Sequence, residues 1–261
     1  PLTCPGGAFR RDTASRRLGG ILPPQDTAMP APPIAAVAFD AFGTLFDVHA
    51  VTACADSMFP GRGAALSQLW RSKQIEYTFL RTLSQRYRNF QVVTAEALHF
   101  AARALHLPLD DAGAERLMAQ YACLAPFPEN GAALRALREL GIPLAILSNG
   151  TPAMIAACVA SAGFDGLFEH ILSVDTVQQF KTTDAAYQLA PDAFQVPPSN
   201  ILFVSANGWD AAGATWFGFT TFWINRSGQP RECLGVEPSM EGTRLTEVVD
   251  FVRARHPADR P

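Results

Sequence analysis

Lysine is almost missing from this chain. Its 261 residues hold two, Lys73 and Lys181, and every other basic side chain is arginine or histidine. Arginine therefore covers the surface, and each lysine marks a place of interest. Long apolar runs are missing as well. None reaches the roughly 18 residues that a membrane-spanning helix requires, so no membrane span is expected. Neither sign of charge is in large excess: 21 Lys and Arg stand against 24 Asp and Glu, a formal net charge of −3. That balance gives no basic footprint for nucleic acid. Cysteine is sparse. Cys4, Cys54, Cys123, Cys158 and Cys233 are odd in number, widely spaced and without a CxxC. This excludes a disulfide frame or a cysteine zinc site as an expectation, and suits a reducing cytoplasm. His49, His99, His106, His170 and His256 match no ligand spacing and read as structural or exposed.

What the chain does have is core material. Its hydrophobic fraction is 48% against 17% charged, enough for a large core and too much for global disorder. The stretch Ile34 to Asp47, IAAVAFDAFGTLFD, organises the rest. Its short apolar opening, Ile34 to Phe39, reads as a strand buried on both faces of a parallel sheet. Asp40 follows at the carboxyl end, where open α/β sheets place their ligands. A carboxylate there is costly unless a charge or hydrogen bonds answer it.

Residues 1–33 carry Pro, Gly and paired arginines without periodic apolar pattern, and read as a disordered N-terminal extension. The segment Ala64 to Arg88 fits an amphipathic helix, with Leu66, Leu69, Trp70, Tyr77, Leu80, Leu83 and Tyr87 on its apolar face. Thr94 is expected to cap a second helix to Leu105, and Asp110 or Asp111 a third to Leu124. Cys54, Cys123 and Cys158 lie in apolar helical text and are expected in the core. The βα alternation resumes at Glu129. Strands are expected at Pro143 to Leu147, His170 to Val174, Ile201 to Val204 and Thr220 to Ile224, each followed by a helix. Polar residues close the strands. Asp40 and Thr44 follow the first, Ser148 and Asn149 the second; Lys181 follows the third, and Ser205, Asn207 and Asp210 the fourth. In a parallel sheet these ends share one edge and converge.

This pattern resembles the haloacid dehalogenase superfamily and, within it, the L-2-haloacid dehalogenases. The matching text is FDAFGTLFDVHAV from Phe39, LWRSKQIEYTFLR from Leu69, and LSNG at 147–150. Lys181 with Tyr187 matches too, as does FVSANGWDAAGA from Phe203 with FGF and WINR beyond it. The resemblance implies an α/β fold, a Rossmann-like doubly wound parallel sheet (34–47 and 128–256) with an inserted helical cap subdomain (48–127). It implies hydrolysis of (S)-2-haloacids to (R)-2-hydroxyacids through an ester on Asp40. It implies no metal and no cofactor, a small 2-haloalkanoic acid as partner, and a homodimer. By the same resemblance Arg71 accepts the halide, with Asn149 and Phe90 around it. Ser148 and the backbone near Ala41 and Phe42 hold the substrate carboxylate. Thr44, Tyr187, Ser205 and Asn207 orient Asp40 and Lys181. Asp210 pairs with Lys181, and Trp209 and Phe42 exclude bulk water.

Two rival readings stay open on the residues alone. Phosphatases of the superfamily carry a proton-donating Asp two residues after the nucleophile, where this chain has Phe42, and a further metal-binding Asp where it has Ala206. A halide leaves without a proton, so Phe42 suits a dehalogenase. A Mg²⁺-dependent phosphatase is the alternative enzyme, and a scaffold that only binds carboxylates is the alternative outside catalysis.

Overall fold

In a computed structural model that describes residues 32–255, four fully buried residues, Ala36–Phe39, form the central strand β1. The expectations for residues 1–31 and for His256 lie outside the described residues. The strand alternates between small and large side chains. Ala36 and Ala38 face one layer of helices and Val37 and Phe39 the other, so both faces are dry. The later strands are β2 (Leu144–Ser148), β3 (His170–Ser173), β4 (Ile201–Ser205), β5 (Thr220–Ile224) and β6 (Met240–Gly242). All pair in parallel in the order β3-β2-β1-β4-β5-β6. The chain leaves β1 toward β2 on one side and returns with β4 on the other. The switch point of this doubly wound α/β sheet therefore lies at the carboxyl end of β1, beside β4.

Nine α-helices are found among the described residues. Between β1 and β2 run α1 (Thr52–Met58), α2 (Gly63–Leu83), α3 (Phe90–Ala104), α4 (Asp111–Tyr121) and α5 (Asn130–Glu139). After β2 come α6 (Pro152–Ser161), α7 (Asp184–Phe194), α8 (Gly208–Phe217) and α9 (Leu245–Arg253). None is long and apolar enough to cross a membrane. The helices α1–α4 lie within the segment 48–127. Its two junctions with the sheet run side by side. Phe46 bridges Pro126 antiparallel, Asp47 N–H donates to the Ala125 carbonyl at 2.9 Å, and Phe127 N–H to that of Leu45 at 3.3 Å.

Several local expectations need correction. Asn89, not Thr94, caps α3: its side chain accepts from Val92 N–H, while Thr94 is buried one turn inside. The long helix ends at Leu83, and Gln85 beyond it takes a positive φ of 55°. The third helix stops at Tyr121 rather than Leu124. Leu80 and Leu83 are 52% and 82% exposed, so they do not belong to a buried face. The buried side chains of α2 are Leu66, Ser67, Trp70, Gln74 and Thr78, on one helical face, and three of them are polar. Cys158 is buried, but Cys54 is half-buried and Cys123, past the end of α4, is exposed.

Asn130, fully buried at the start of α5, fastens the loop after Asp40. Its Nδ2 donates to the carbonyls of Thr44 at 3.2 Å and Leu45 at 2.9 Å. Replacing it by alanine leaves two carbonyls without this donor. Asn130→Ala should cost about 1–3 kcal/mol in urea denaturation with an unchanged slope.

Candidate active site

The switch point carries a buried charge cluster. Lys181 sits between two carboxylates, its Nζ 3.1 Å from Asp40 Oδ1 and 3.0 Å from Asp210 Oδ2. Lys181 is 1% exposed, Asp40 5% and Asp210 0%. The third side of the ammonium faces the Phe203 ring at 4.9 Å. Taking these charges out of water is expensive, and mutual pairing plus further hydrogen bonds offset the cost. The rare lysine is thus spent where a compact point charge must meet two carboxylates at once.

The remaining hydrogen bonds are specific. Asp40 Oδ2 accepts from Thr44 Oγ1 at 2.8 Å and from Asn207 Nδ2 at 2.9 Å. Thr44 Oγ1 in turn accepts from Ala206 N–H at 2.8 Å. Asp210 Oδ1 accepts from the Tyr187 hydroxyl at 2.7 Å, and its Oδ2 from Ser205 Oγ at 2.9 Å. Asn207 N–H donates to Ser205 Oγ at 3.1 Å. Burial pushes the Asp210 carboxyl above its ordinary range, and the Asp40 charge adds to this; the Lys181 ammonium and the Tyr187 hydroxyl pull it back. Burial also raises the Tyr187 phenol, so it stays protonated and donates.

Arg71 reaches this cluster from α2. Its Nη2 donates to the Phe42 carbonyl at 2.9 Å and to Asn207 Oδ1 at 3.2 Å; its Nη1 donates to Gln74 Oε1 at 2.7 Å. It does not touch Asp40, but both bond Asn207. Gly43 forms the turn beside them: its φ is +97°, a left-handed conformation in which a side chain would be strained.

Phe42 turns its ring away from Asp40 into an aromatic group, 5.5 Å from Phe90 and 5.6 Å from Tyr121 between centroids. A Cβ at Gly150 would fall 2.5 Å from that ring, so only glycine fits there. Trp209 meets Phe79 of α2 edge-on at 5.3 Å. Ser148 and Asn149 stand on the neighbouring strand end. Ser148 Oγ accepts from Gly150 N–H at 3.0 Å, and Asn149 Oδ1 from Lys181 N–H at 3.0 Å. Neither contacts Asp40. Among the described residues, the N–H groups of Ala41 and Phe42 donate to no protein acceptor.

All the residues singled out in the sequence thus gather around one sheet edge. Two that it did not single out, Gln74 and Tyr121, join Arg71 from beneath. A glutamine on an amphipathic helix reads as solvated, and only its spacing of three from Arg71 links the two.

A protein-family model described as haloacid dehalogenase-like hydrolase matches residues 34–218. An (S)-2-haloacid dehalogenase of Pseudomonas sp. (strain YL) is 51% identical over 218 residues, covering 84% of this chain and 94% of that one. A solved L-2-haloacid dehalogenase superimposes with a TM-score of 0.83 at 55% identity, covering 85% of this chain and 99% of the other. The L-2-haloacid dehalogenase of Xanthobacter autotrophicus with chloropropionic acid covalently bound gives a TM-score of 0.80 at 35% identity, covering 84% and 98%.

The Asp210 environment yields a test. Tyr187→Phe removes a hydrogen bond that favours the carboxylate, so the Asp210 pKa should rise further. A carboxyl whose folded pKa is raised holds its proton better in the native state, so its contribution to stability is lost as pH rises through that pKa. The cost of Tyr187→Phe should therefore be smallest in acid and grow toward neutral pH, reaching about 1.5–3 kcal/mol. Chemical denaturation across pH measures it.

Proposed function

This chain belongs to the haloacid dehalogenase-like hydrolase family, and we propose that it hydrolyses (S)-2-haloacids to (R)-2-hydroxyacids through an ester on Asp40, without a metal ion. The observation that carries the reading is the division of labour on the Asp40 carboxylate. Oδ2 is gripped by two neutral donors, Thr44 and Asn207, while Oδ1 meets only the Lys181 ammonium. Oδ1 keeps a lone pair for attack.

In the first step Oδ1 attacks C2 of the haloacid from the side opposite the halogen. The new C–O bond forms as the carbon–halogen bond breaks, and the halide leaves with the electron pair. Arg71, assigned to the halide, supplies positive charge where negative charge grows. A halide is a weak base and needs no proton, so Phe42 can stand where a phosphatase keeps its acid. The substrate carboxylate is assigned to Ser148 and the free N–H groups of Ala41 and Phe42. Asn149 and Phe90 flank the halide, and Trp209 helps to keep bulk water out.

In the second step water attacks the Asp40 carbonyl carbon. Thr44 and Asn207 already face Oδ2, where the oxyanion develops. The bond from the Asp40 carbonyl carbon to the product oxygen breaks, that oxygen takes one proton of the water and the other goes to solvent; the hydroxy acid departs with inverted carbon and the carboxylate is restored. Asp210, itself held by Tyr187 and Ser205, keeps the Lys181 amine in place throughout. Segment 48–127 acts as a cap that brings Arg71 over the sheet edge. We assign the enzyme to the cytoplasm and expect a homodimer; the exposed Leu80, Leu83 and Phe100 on the outer side of α2 and α3 support that assembly.

Halide should be released from L-2-chloropropionate in metal-free buffer containing chelator. Asp40→Asn should lower kcat by on the order of 10³-fold or more. One turnover in heavy-oxygen water should label Asp40 and leave the product unlabelled. Label in the product alone would eliminate the ester. Phosphomonoester hydrolysis that stops with chelator would replace this reading with a phosphatase.

A further inference from the structure

A buried amide under the active-site arginine has no role in the reaction as written above. Gln74 is fully buried on α2, three residues past Arg71. Burying an amide costs free energy unless its groups are bonded, and here each end is. Oε1 accepts from Arg71 Nη1 at 2.7 Å and from the Tyr121 hydroxyl at 3.0 Å. Nε2 donates to Thr94 Oγ1 at 2.6 Å, and Thr94 Oγ1 donates in turn to the Phe90 carbonyl at 2.6 Å.

The network has one direction only. The guanidinium has donors and no acceptor, so it requires the oxygen of the amide. Burial raises the Tyr121 phenol, so it too remains a donor. Thr94 has given its hydrogen to Phe90 and can only accept from Nε2. The amide cannot flip without placing donor against donor at Arg71 and Tyr121 and acceptor against acceptor at Thr94. Gln74 therefore presents a fixed oxygen to Arg71 from within the helical segment, while the Phe42 carbonyl and Asn207 Oδ1 hold Nη2 from the sheet side. Among the described residues, the guanidinium's Nε–H has no protein acceptor and remains for an anion.

We propose that Gln74, held by Tyr121 and Thr94, is the positioning residue that aims the Arg71 guanidinium at the departing halide. This rests on the reading of Arg71 as halide acceptor. It extends that reading to three buried side chains that touch no substrate. The aim matters most where the leaving group is poorest, because more of the barrier then depends on stabilising charge on the halogen. A purely structural role would slow all halides alike.

The test is the single-turnover rate of ester formation with L-2-bromo- and L-2-chloropropionate. Gln74→Leu, close in volume, removes the acceptor; Tyr121→Phe removes one of its two anchors and spares the core. In Gln74→Leu the chloride reaction should fall by roughly ten- to hundredfold and the bromide reaction by clearly less, raising the bromide-to-chloride rate ratio. Tyr121→Phe should shift the ratio the same way by a smaller factor. Arg71→Ala separates the two claims. If it raises the ratio and the folded Gln74 and Tyr121 variants do not, the positioning role is overturned and the Arg71 reading stands. If Arg71→Ala leaves the ratio unchanged, the Arg71 reading falls and this inference with it. Should Gln74→Leu fail to fold, the Tyr121→Phe ratio decides.

Discussion

One ammonium between two buried carboxylates is the constraint on which this site depends. Lys181 cannot be removed without leaving Asp40 and Asp210 to repel each other in a poorly solvated place, and neither acid can be removed without leaving the lysine short of a partner. With all three ionised the cluster carries one net negative charge. Esterification of Asp40 in the proposed cycle removes that charge and leaves a balanced Lys181–Asp210 pair. The same step relieves the electrostatic push that Asp40 exerts on Asp210. In that proposed cycle the cluster alternates between one carboxylate in excess and a balanced pair.

The sheet makes this cluster possible. Asp40 ends β1, Asp210 enters with α8 after β4, and Lys181 comes from the loop after β3. Each chain segment delivers a residue or two to the same edge. The flanking fold is apolar enough to hold that edge rigid, and Asn130 ties down the loop from which Thr44 reaches Asp40.

The fold was legible in the sequence where burial is two-sided. Runs such as LAILS and ILFVS have little use except as inner strands, and each polar residue that closes them is conspicuous against the apolar text. That is why Asp40, Ser148 and Ser205 stand out at the strand ends, while Lys181 and Asp210 lie further along the chain and join them through the resemblance. The strand β6 is not legible in the sequence, because Met240–Gly242 has no apolar rhythm and lies at the sheet edge. The inserted helices were harder. On α2 the hydrophobic spacing pointed to Leu80 and Leu83, yet the inward stripe includes Gln74 and Thr78. Periodicity reports apolar faces and is blind to an interior hydrogen-bond network, whose partners lie on other helices. The cap of α3 misled for a related reason. A threonine inside a helix can bond the carbonyl four residues back, as Thr94 does to Phe90, and leave the capping to Asn89.

The paired junctions at Phe46 and Pro126 have a mechanical consequence. Both chain crossings between the sheet and the inserted helices are laced into one short antiparallel ribbon. Two tethers set far apart would resist rotation, and one alone would allow swivelling in any direction. A narrow ribbon gathers both covalent crossings at one place, and Arg71 ties the inserted helices to the sheet a second time, through the Phe42 carbonyl and Asn207.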